Sequence, residues 1–111
     1  MKFHDMPYER VDFDQVEKAF EELKKSFAAA RSAEEQFEIH QKYYELRTRT
    51  DTMITLAQIR HDGDVTDAFY NAEQDYYDQM GPKYSNMIIE YQKLLYESPY
   101  RDGLEERIGR V

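Results

Sequence analysis

Apolar side chains recur every three or four residues along most of the chain. This spacing places them in one stripe of an α-helix, and no stretch shows the alternation of apolar and polar residues that is typical of strands. The first helix is predicted to begin after Asp12, which is a suitable N-cap. The pattern therefore predicts an all-α fold. The first row, at spacings of 3, 4, 3, 4 and 3, comprises Phe13, Val16, Phe20, Leu23, Phe27 and Ala30.

A capping box, "SAEE" at positions 32–35, marks the start of a second helix. In such a box Ser32 accepts from the third backbone N–H and Glu35 reaches back toward the helix start. Since the first helix ends only one or two residues earlier, the two helices are expected to be antiparallel neighbours. Because no glycine or proline lies between Ala33 and Gly63, the second helix is predicted to run from Ala33 to about His61. Its rows are Ile39, Tyr43, Leu46, Thr50, Met53 and Ala57, widened by Phe37, Tyr44, Ile54 and Ile59.

The second half of the chain shows three shorter helical patterns. Thr66 is predicted to cap a third helix. Gly81-Pro82 is predicted to break or sharply kink the chain, because proline disfavours a helical residue before it and lacks a backbone donor. A fourth helix is predicted to stop at Ser98-Pro99 and a short fifth to span 102–108. The predicted rows are Phe69, Ala72, Tyr76 and Met80, then Tyr84, Met87, Ile88, Tyr91, Leu94 and Leu95. The predicted architecture is a long antiparallel helical hairpin, two further helices and a short terminal helix.

Length and charge restrict the function. The 111 residues fit a single domain, predicted over 1–111. With 23 acidic against 15 basic residues and a net charge of −8, the surface repels phosphate, so no nucleic-acid partner is expected. The chain has no cysteine for disulfides or thiolate metal sites, which agrees with a reducing cytosol. It also lacks a bilayer-spanning apolar run or the apolar core of a secretory signal, so no membrane association is expected.

The acidic stretch after the second helix scans as a calcium loop. With Asp62 as position 1, Asp64, Thr66 and Glu73 occupy positions 3, 5 and 12 of an EF-hand. The sixth position of that loop requires glycine for a sharp turn, and here it is Asp67. The pattern therefore favours a solvated acidic turn over a calcium site.

The histidines provide no metal or catalytic motif. His4, His40 and His61 share no ligand spacing, and the sequence has no nucleophile elbow or glycine-rich phosphate loop. His61 beside Asp62 is a candidate general base. The simpler interpretation is that His61 ends a long helix favourably at its negative dipole end. We predict no catalytic and no metal-binding residue in this segment.

Two adjacent tyrosine pairs, 43/44 and 76/77, are unusual on helices. The two rings of a pair cannot both enter the same helix–helix interface, so one of them faces elsewhere. Either the second ring is half-buried at the surface with its hydroxyl in water, or another surface covers it, such as a further domain or a peptide. The pattern alone leaves both interpretations open.

Three stretches together resemble the amino-terminal segment of the M3 family zinc metallopeptidases of the oligoendopeptidase F type. They are "YERVDFDQVEKAFEELKKSF", "SAEEQFEIHQKYYELRTRTDTMITLAQIRHDGDVTDAFYNAEQDYYDQMGP" and "LLYESPYRDGLEERIG". The most specific part runs from "TLAQIRH" through the acidic turn and the acidic-aromatic helix to "MGP", and "ESPYR" adds a second match. The resemblance covers nearly the whole chain.

This resemblance implies a large, mostly helical, cytoplasmic enzyme that cuts short peptides inside an enclosed channel. Its zinc is held by a His-Glu-x-x-His helix and a later glutamate, none of which occurs here, so zinc is expected in the complete enzyme and no cofactor in this segment. The amino-terminal helices form part of the wall or lid of the channel. Arg60, His61, Tyr76 and Tyr77 are predicted to approach that channel or the catalytic domain.

Two functions follow as alternatives. The first is the helical amino-terminal subdomain of an oligoendopeptidase, inactive alone, whose partners are the catalytic domain of the same enzyme and, in the complete protein, short peptide substrates. The second is a free-standing helical protein-interaction module. In the first case the isolated chain is predicted to self-associate or to be marginally stable, because part of its apolar face is meant for a neighbour.

Overall fold

The computed structural model describes residues 7–109, so His4 lies outside the described residues. Within that range the chain forms four α-helices and no strand, which confirms the all-α prediction. The helices are α1 (Phe13–Ala29), α2 (Ala33–Gly63), α3 (Ala68–Glu97) and α4 (Arg101–Ile108). None of them is long and apolar enough to cross a membrane.

The predicted caps of the first two helices are confirmed. The Asp12 carboxylate accepts the backbone N–H of Asp14 at 3.0 Å, and the Ser32 hydroxyl accepts that of Glu35 at 3.1 Å. The Glu35 carboxylate reaches back to the N–H of Arg31 at 2.5 Å. These bonds satisfy N–H groups that have no partner inside the helix, so each helix start is determined by its own local sequence.

The predicted start of the third helix is wrong by one residue. Asp67, not Thr66, is the N-cap of α3, and its carboxylate accepts the N–H of Phe69 at 2.8 Å and of Tyr70 at 3.2 Å. The hydroxyl of Thr66 instead donates to the Asp64 carboxylate at 2.6 Å. Because Asp64 engages Thr66 within the turn, the next acidic residue caps the helix.

The predicted break at Gly81-Pro82 is also wrong. α3 continues through Pro82 for 30 residues, so two predicted helices are one and the predicted fifth helix is α4. Pro82 and Asp78 both lie on the exposed side, where water can reach the carbonyl that the proline leaves without a donor. Tyr77 and Tyr84, on either side of the proline, are buried and pack their rings on Phe13 at centroid distances of 6.1 and 5.5 Å. Tertiary packing therefore keeps the helix continuous.

The inward face of α3 differs from the predicted row before the proline. Phe69 is 55% exposed and Ala72 is exposed, whereas Glu73 and Tyr77 are buried. The predicted row after the proline is confirmed, since its members are buried or partly buried. The buried residues of α3 are Glu73, Tyr77, Tyr84, Met87, Tyr91 and Leu95.

Helices α1, α2 and α3 pack on one another, and α4 packs mainly on α2. Aromatic rings join the three long helices, with Phe20 against Tyr43 at 5.6 Å, Phe27 against Tyr91 at 5.7 Å and Tyr43 stacked on Tyr91 at 3.7 Å between ring centroids. The first predicted row of α2 faces this core. The second predicted row was expected to widen that apolar face, but only part of it does. Tyr44 and Ile59 are exposed, whereas Gln36 and Leu56, which belong to neither predicted row, are buried. The side-chain amide of Gln36 donates to the carbonyl of Phe27.

Candidate functional site

Arg60 and His61 lie in the last turn of α2, where both are partly buried. The Arg60 guanidinium donates to the hydroxyl of Tyr70 at 3.1 Å. Within the described residues the buried Nδ1 of His61 has no hydrogen-bond partner, and the Asp62 carboxylate lies 3.5 Å away without the geometry of a hydrogen bond. Basic side chains at this end of a helix interact favourably with its dipole. The bond from Arg60 to Tyr70 connects the last turn of α2 to the first turn of α3.

Tyr76 and Tyr77 hold the segment that precedes α1. The Tyr76 hydroxyl donates to the backbone carbonyl of Val11 at 2.7 Å, and the Tyr77 hydroxyl accepts the Val11 N–H at 3.0 Å. The Tyr77 hydroxyl also shares a hydrogen bond of 2.7 Å with that of Tyr8. The Arg10 guanidinium lies 4.3 Å above the centre of the Tyr76 ring. Unlike the 43/44 pair, both rings thus pack on the same neighbouring segment.

Tyr8 lies between the end of α2, where Arg60 and His61 stand, and the Tyr76–Tyr77 pair of α3. Its ring lies 5.9 Å from that of Tyr70, which is the partner of Arg60, and its hydroxyl contacts Tyr77. Arg60 and Tyr77 therefore lie along one series of contacts on one side of the bundle. Whether these side chains approach a channel or a catalytic domain stays a prediction.

Glu73 is the buried centre of this region, whereas the sequence indicated it only as a candidate calcium ligand. Its side chain is 1% exposed and lies within α3. One carboxylate oxygen accepts from the hydroxyl of Tyr8 at 2.8 Å, and the other accepts from Nε of Arg10 at 2.8 Å and from a second nitrogen of the same guanidinium. A signal did exist, since Glu73 stands four residues before the buried Tyr77 and a carboxylate in a buried row requires a cation.

Arg10 determines the ionisation of this cluster. Its hydrogen bonds to Glu73 hold the pKa of that carboxyl below its usual range, against the opposing effect of burial. Burial and the hydrogen bonds to Tyr77 and Glu73 raise the pKa of the Tyr8 hydroxyl. At neutral pH the cluster is therefore an ion pair between Arg10 and Glu73 beside a neutral Tyr8. This arrangement holds the segment before α1 on α3 and contains no free base.

The candidate calcium positions do not converge. The Asp64 carboxylate accepts both the N–H and the hydroxyl of Thr66, which lowers the pKa of Asp64, while Glu73 binds Arg10. Across residues 7–109 no three histidine or acidic side chains come together in a way that could hold a metal ion. The described residues therefore do not fit a zinc or a calcium site.

A second feature is an open groove formed by α2, α3 and α4, which we call the outer groove. It consists of two adjoining cavities of about 680 and 390 Å³ that share His40, Gln92 and Leu95. Tyr44 of α2 stands at one end, and Ile89 and Tyr96 of α3 with Ile108 of α4 line the other. Tyr44, Ile89 and Tyr96 are 64, 59 and 60% exposed. The 43/44 pair is thus divided as predicted, with Tyr43 in the core.

The floor of the outer groove is ordered by contacts from the core. Nδ1 of His40 lies 3.1 Å from the hydroxyl of Tyr91, and the His40 ring is stacked on that of Tyr91 at 6.0 Å. Burial lowers the pKa of His40 and raises that of the Tyr91 hydroxyl. Both side chains are therefore neutral at pH 7, and the fully buried Tyr91 supports the His40 ring that lines the groove.

The comparisons with known proteins all indicate one group of peptidases. The family model described as the Peptidase M3 N-terminal domain matches residues 3–111. No curated protein matches the sequence. A structure of PZ peptidase A with an inhibitor is 35% identical with a TM-score of 0.94, and the match covers 97% of this chain and 19% of that one.

Two structures named as oligoendopeptidase F give similar results. The first is 40% identical with a TM-score of 0.93, over 98% of this chain and 19% of that one. The second, from Bacillus anthracis str. Ames, is 35% identical with a TM-score of 0.92, over 96% of this chain and 20% of that one. The chain thus spans about a fifth of the length of the solved proteins that it matches. It belongs to the Peptidase M3 N-terminal domain family and is the amino-terminal helical part of a peptidase of the oligoendopeptidase F type.

Proposed function

We propose that this chain is the helical wall or lid of a cytoplasmic, zinc-dependent oligoendopeptidase that hydrolyses short peptides. The observation that carries the proposal is the match to structures named as oligoendopeptidase F over 98 and 96% of the chain, at TM-scores of 0.93 and 0.92. Because residues 7–109 offer no cluster of metal ligands, the zinc and the groups that act on the peptide come from another part of such an enzyme.

The contribution of this chain is then structural. The described residues form a body of 51 × 27 × 19 Å, in which the three long helices pack through aromatic rings. A rigid wall that excludes water and restricts access can select short, flexible peptides over folded proteins. Arg60, His61, Tyr76 and Tyr77 belong to this proposal as the side of the bundle that approaches the channel or the catalytic domain.

Expression of the gene product read beyond position 111 tests the proposal. The purified product should hydrolyse a quenched fluorescent oligopeptide, lose that activity with a chelator and regain it with zinc, whereas the 111-residue chain alone should show no hydrolysis. Hydrolysis by the 111-residue chain alone, lost with a chelator, would overturn the proposal. A stop codon directly after Val111 would favour the free-standing interaction module instead.

A further inference from the structure

The outer groove exposes a concentration of apolar surface that water solvates poorly. Tyr44, Ile89 and Tyr96 are three of the six large apolar residues that are exposed within residues 7–109, and all three line this one groove. Single exposed apolar residues are common, but a contiguous patch with a cavity marks an interaction surface. No other part of residues 7–109 fills this groove.

The groove is ordered before any partner binds. The guanidinium of Arg101 lies 3.9 Å above the centre of the Tyr96 ring, and Nε of Arg101 is held by the Glu105 carboxylate at 3.0 Å. His40 is fixed from below by the hydroxyl of Tyr91. Side chains that are already held lose less conformational entropy on binding, which favours association.

The position of α4 indicates which partner reaches the groove first. Ile108, in the last turn of α4, lines the groove, and Gly109 follows it directly. The matched part of PZ peptidase A and of oligoendopeptidase F is 19% of each chain, so roughly four-fifths of each lies elsewhere. In a peptidase of that size the polypeptide after α4 begins at the wall of the groove, where covalent linkage gives it a high effective concentration.

We infer that the outer groove is the docking surface for the remainder of the same peptidase chain, which inserts apolar side chains between Tyr44, Ile89 and Tyr96. This inference rests on the proposed function and adds the surface through which this helical part joins the enzyme. The groove is lined by Leu95 and the rings of His40 and Tyr43, and also by the charged side chains of Arg47, Asp51 and Lys93. The partner chemistry is therefore that of a helix or loop whose apolar face is flanked by polar or charged groups.

The absence of cysteine from this sequence permits a direct test by thiol labelling. Ile89→Cys places a probe in the groove, and Ala28→Cys places a matched probe on the exposed face of α1. Each variant is prepared both as the 111-residue chain and in the complete gene product. Labelling is followed at the level of single peptides by mass spectrometry, which separates these probes from any cysteine elsewhere in the product. Helical circular dichroism verifies that each variant folds.

In the dilute 111-residue chain the two probes should react at similar rates. In the complete product the probe at 89 should react at least about tenfold more slowly than in the 111-residue chain. The rate at 28 should differ by no more than about twofold between the two. Equal rates at 89 in both contexts would overturn the inference. Protection at 89 in the complete product that disappears on dilution would also overturn it, since the occupant would be a second copy and not the same chain.

The failure of this inference differs from the failure of the proposed function. If the complete product hydrolyses peptides and the probe at 89 still reacts freely, the docking surface is wrong and the proposed function stands. If no longer product exists or it has no peptidase activity, the proposed function is wrong and the inference fails with it.

Discussion

Arg10 and Glu73 form an ion pair between the segment before α1 and the first buried residue of α3. The Glu73 carboxylate is 1% exposed, while the Arg10 side chain is 47% exposed, so one partner is inside the bundle and the other covers it from the surface. The guanidinium donates two hydrogen bonds to one carboxylate oxygen. Because a buried carboxylate without a cation is costly, the segment before α1 is part of the fold.

Glu73→Gln is expected to destabilise the chain. The amide keeps the volume of the side chain but loses the charge, and hydrogen bonds to a charged group contribute more than neutral ones, so the free energy of unfolding should fall by about 2 kcal/mol. Urea denaturation followed by circular dichroism measures this change. Glu38→Gln, at an exposed position of α2, is the matched control and should stay within about 0.5 kcal/mol of the wild type. Equal effects of the two substitutions would contradict the structural role of Glu73.

The same ion pair should make stability depend on acid pH. The bonds from Arg10, and to a smaller extent from Tyr8, lower the pKa of Glu73 in the folded state. Below the unfolded-state pKa of about 4.3 the unfolded chain binds the proton first, so the stabilisation is complete above that pH and is lost as pH falls through the lower folded-state pKa. The difference in unfolding free energy between the wild type and Glu73→Gln should therefore shrink from pH 6 toward acid. Urea denaturation at a series of pH values measures this difference, and a pH-independent value would contradict the expectation.

The starts of α1 and α2 were predictable because their signals are local. Asp12 and Ser32 bond N–H groups two or three residues away, and the apolar rows that follow them are long and regular. The role of Arg10 was not predictable, since its partner is 63 residues away in sequence. The same limitation explains Pro82, where the local rule predicted a break and the distant packing of Tyr77 and Tyr84 on Phe13 prevented it.

The residues singled out for function were predicted with less success than the helices. The division of the 43/44 pair followed from helical geometry alone. For the 76/77 pair the same geometry predicted one outward ring, but the segment before α1 packs on this side, and its path depends on contacts of Tyr8 that no spacing reveals. A groove formed by α2, α3 and α4 likewise requires the three-dimensional arrangement.

Tyr77→Phe should release the segment before α1. The hydroxyl of Tyr77 accepts the N–H of Val11, which is 8% exposed, and removing it leaves that buried donor without its partner, at a cost of about 1 to 3 kcal/mol. Trypsin should then cut after Arg10 faster than in the wild type, and urea denaturation should show the loss of stability. Tyr44→Phe is the control, because Tyr44 is 64% exposed, and it should change neither quantity. An unchanged cleavage rate in Tyr77→Phe would contradict the role of this hydroxyl.

Gly103→Ala should disturb the packing of α4 on α2. A Cβ atom at position 103 would lie 2.6 Å from Cβ of Ala33, which is attached directly to the backbone and cannot rotate away. Such overpacking costs about 1 to 3 kcal/mol, measured by thermal or urea denaturation. Gly63→Ala is the control, since a Cβ there meets nothing within 4 Å, and it should be neutral or stabilising by about 0.5 kcal/mol. Similar stability of the two variants would show that α4 is not tightly packed on α2.

The isolated 111-residue chain is expected to self-associate as its concentration rises, because Tyr44, Ile89 and Tyr96 form an exposed apolar patch along the outer groove. Ile89→Lys places a charge in that patch and should shift sedimentation-velocity profiles toward the monomer, whereas Ala28→Lys, on the exposed face of α1, should leave the association unchanged. Since desolvating a lysine opposes the burial of neighbouring rings, the difference between the two variants reports on the outer groove and not on net charge. A wild-type chain that sediments as a stable monomer at all concentrations, or equal effects of the two lysines, would show that this patch is not a contact surface.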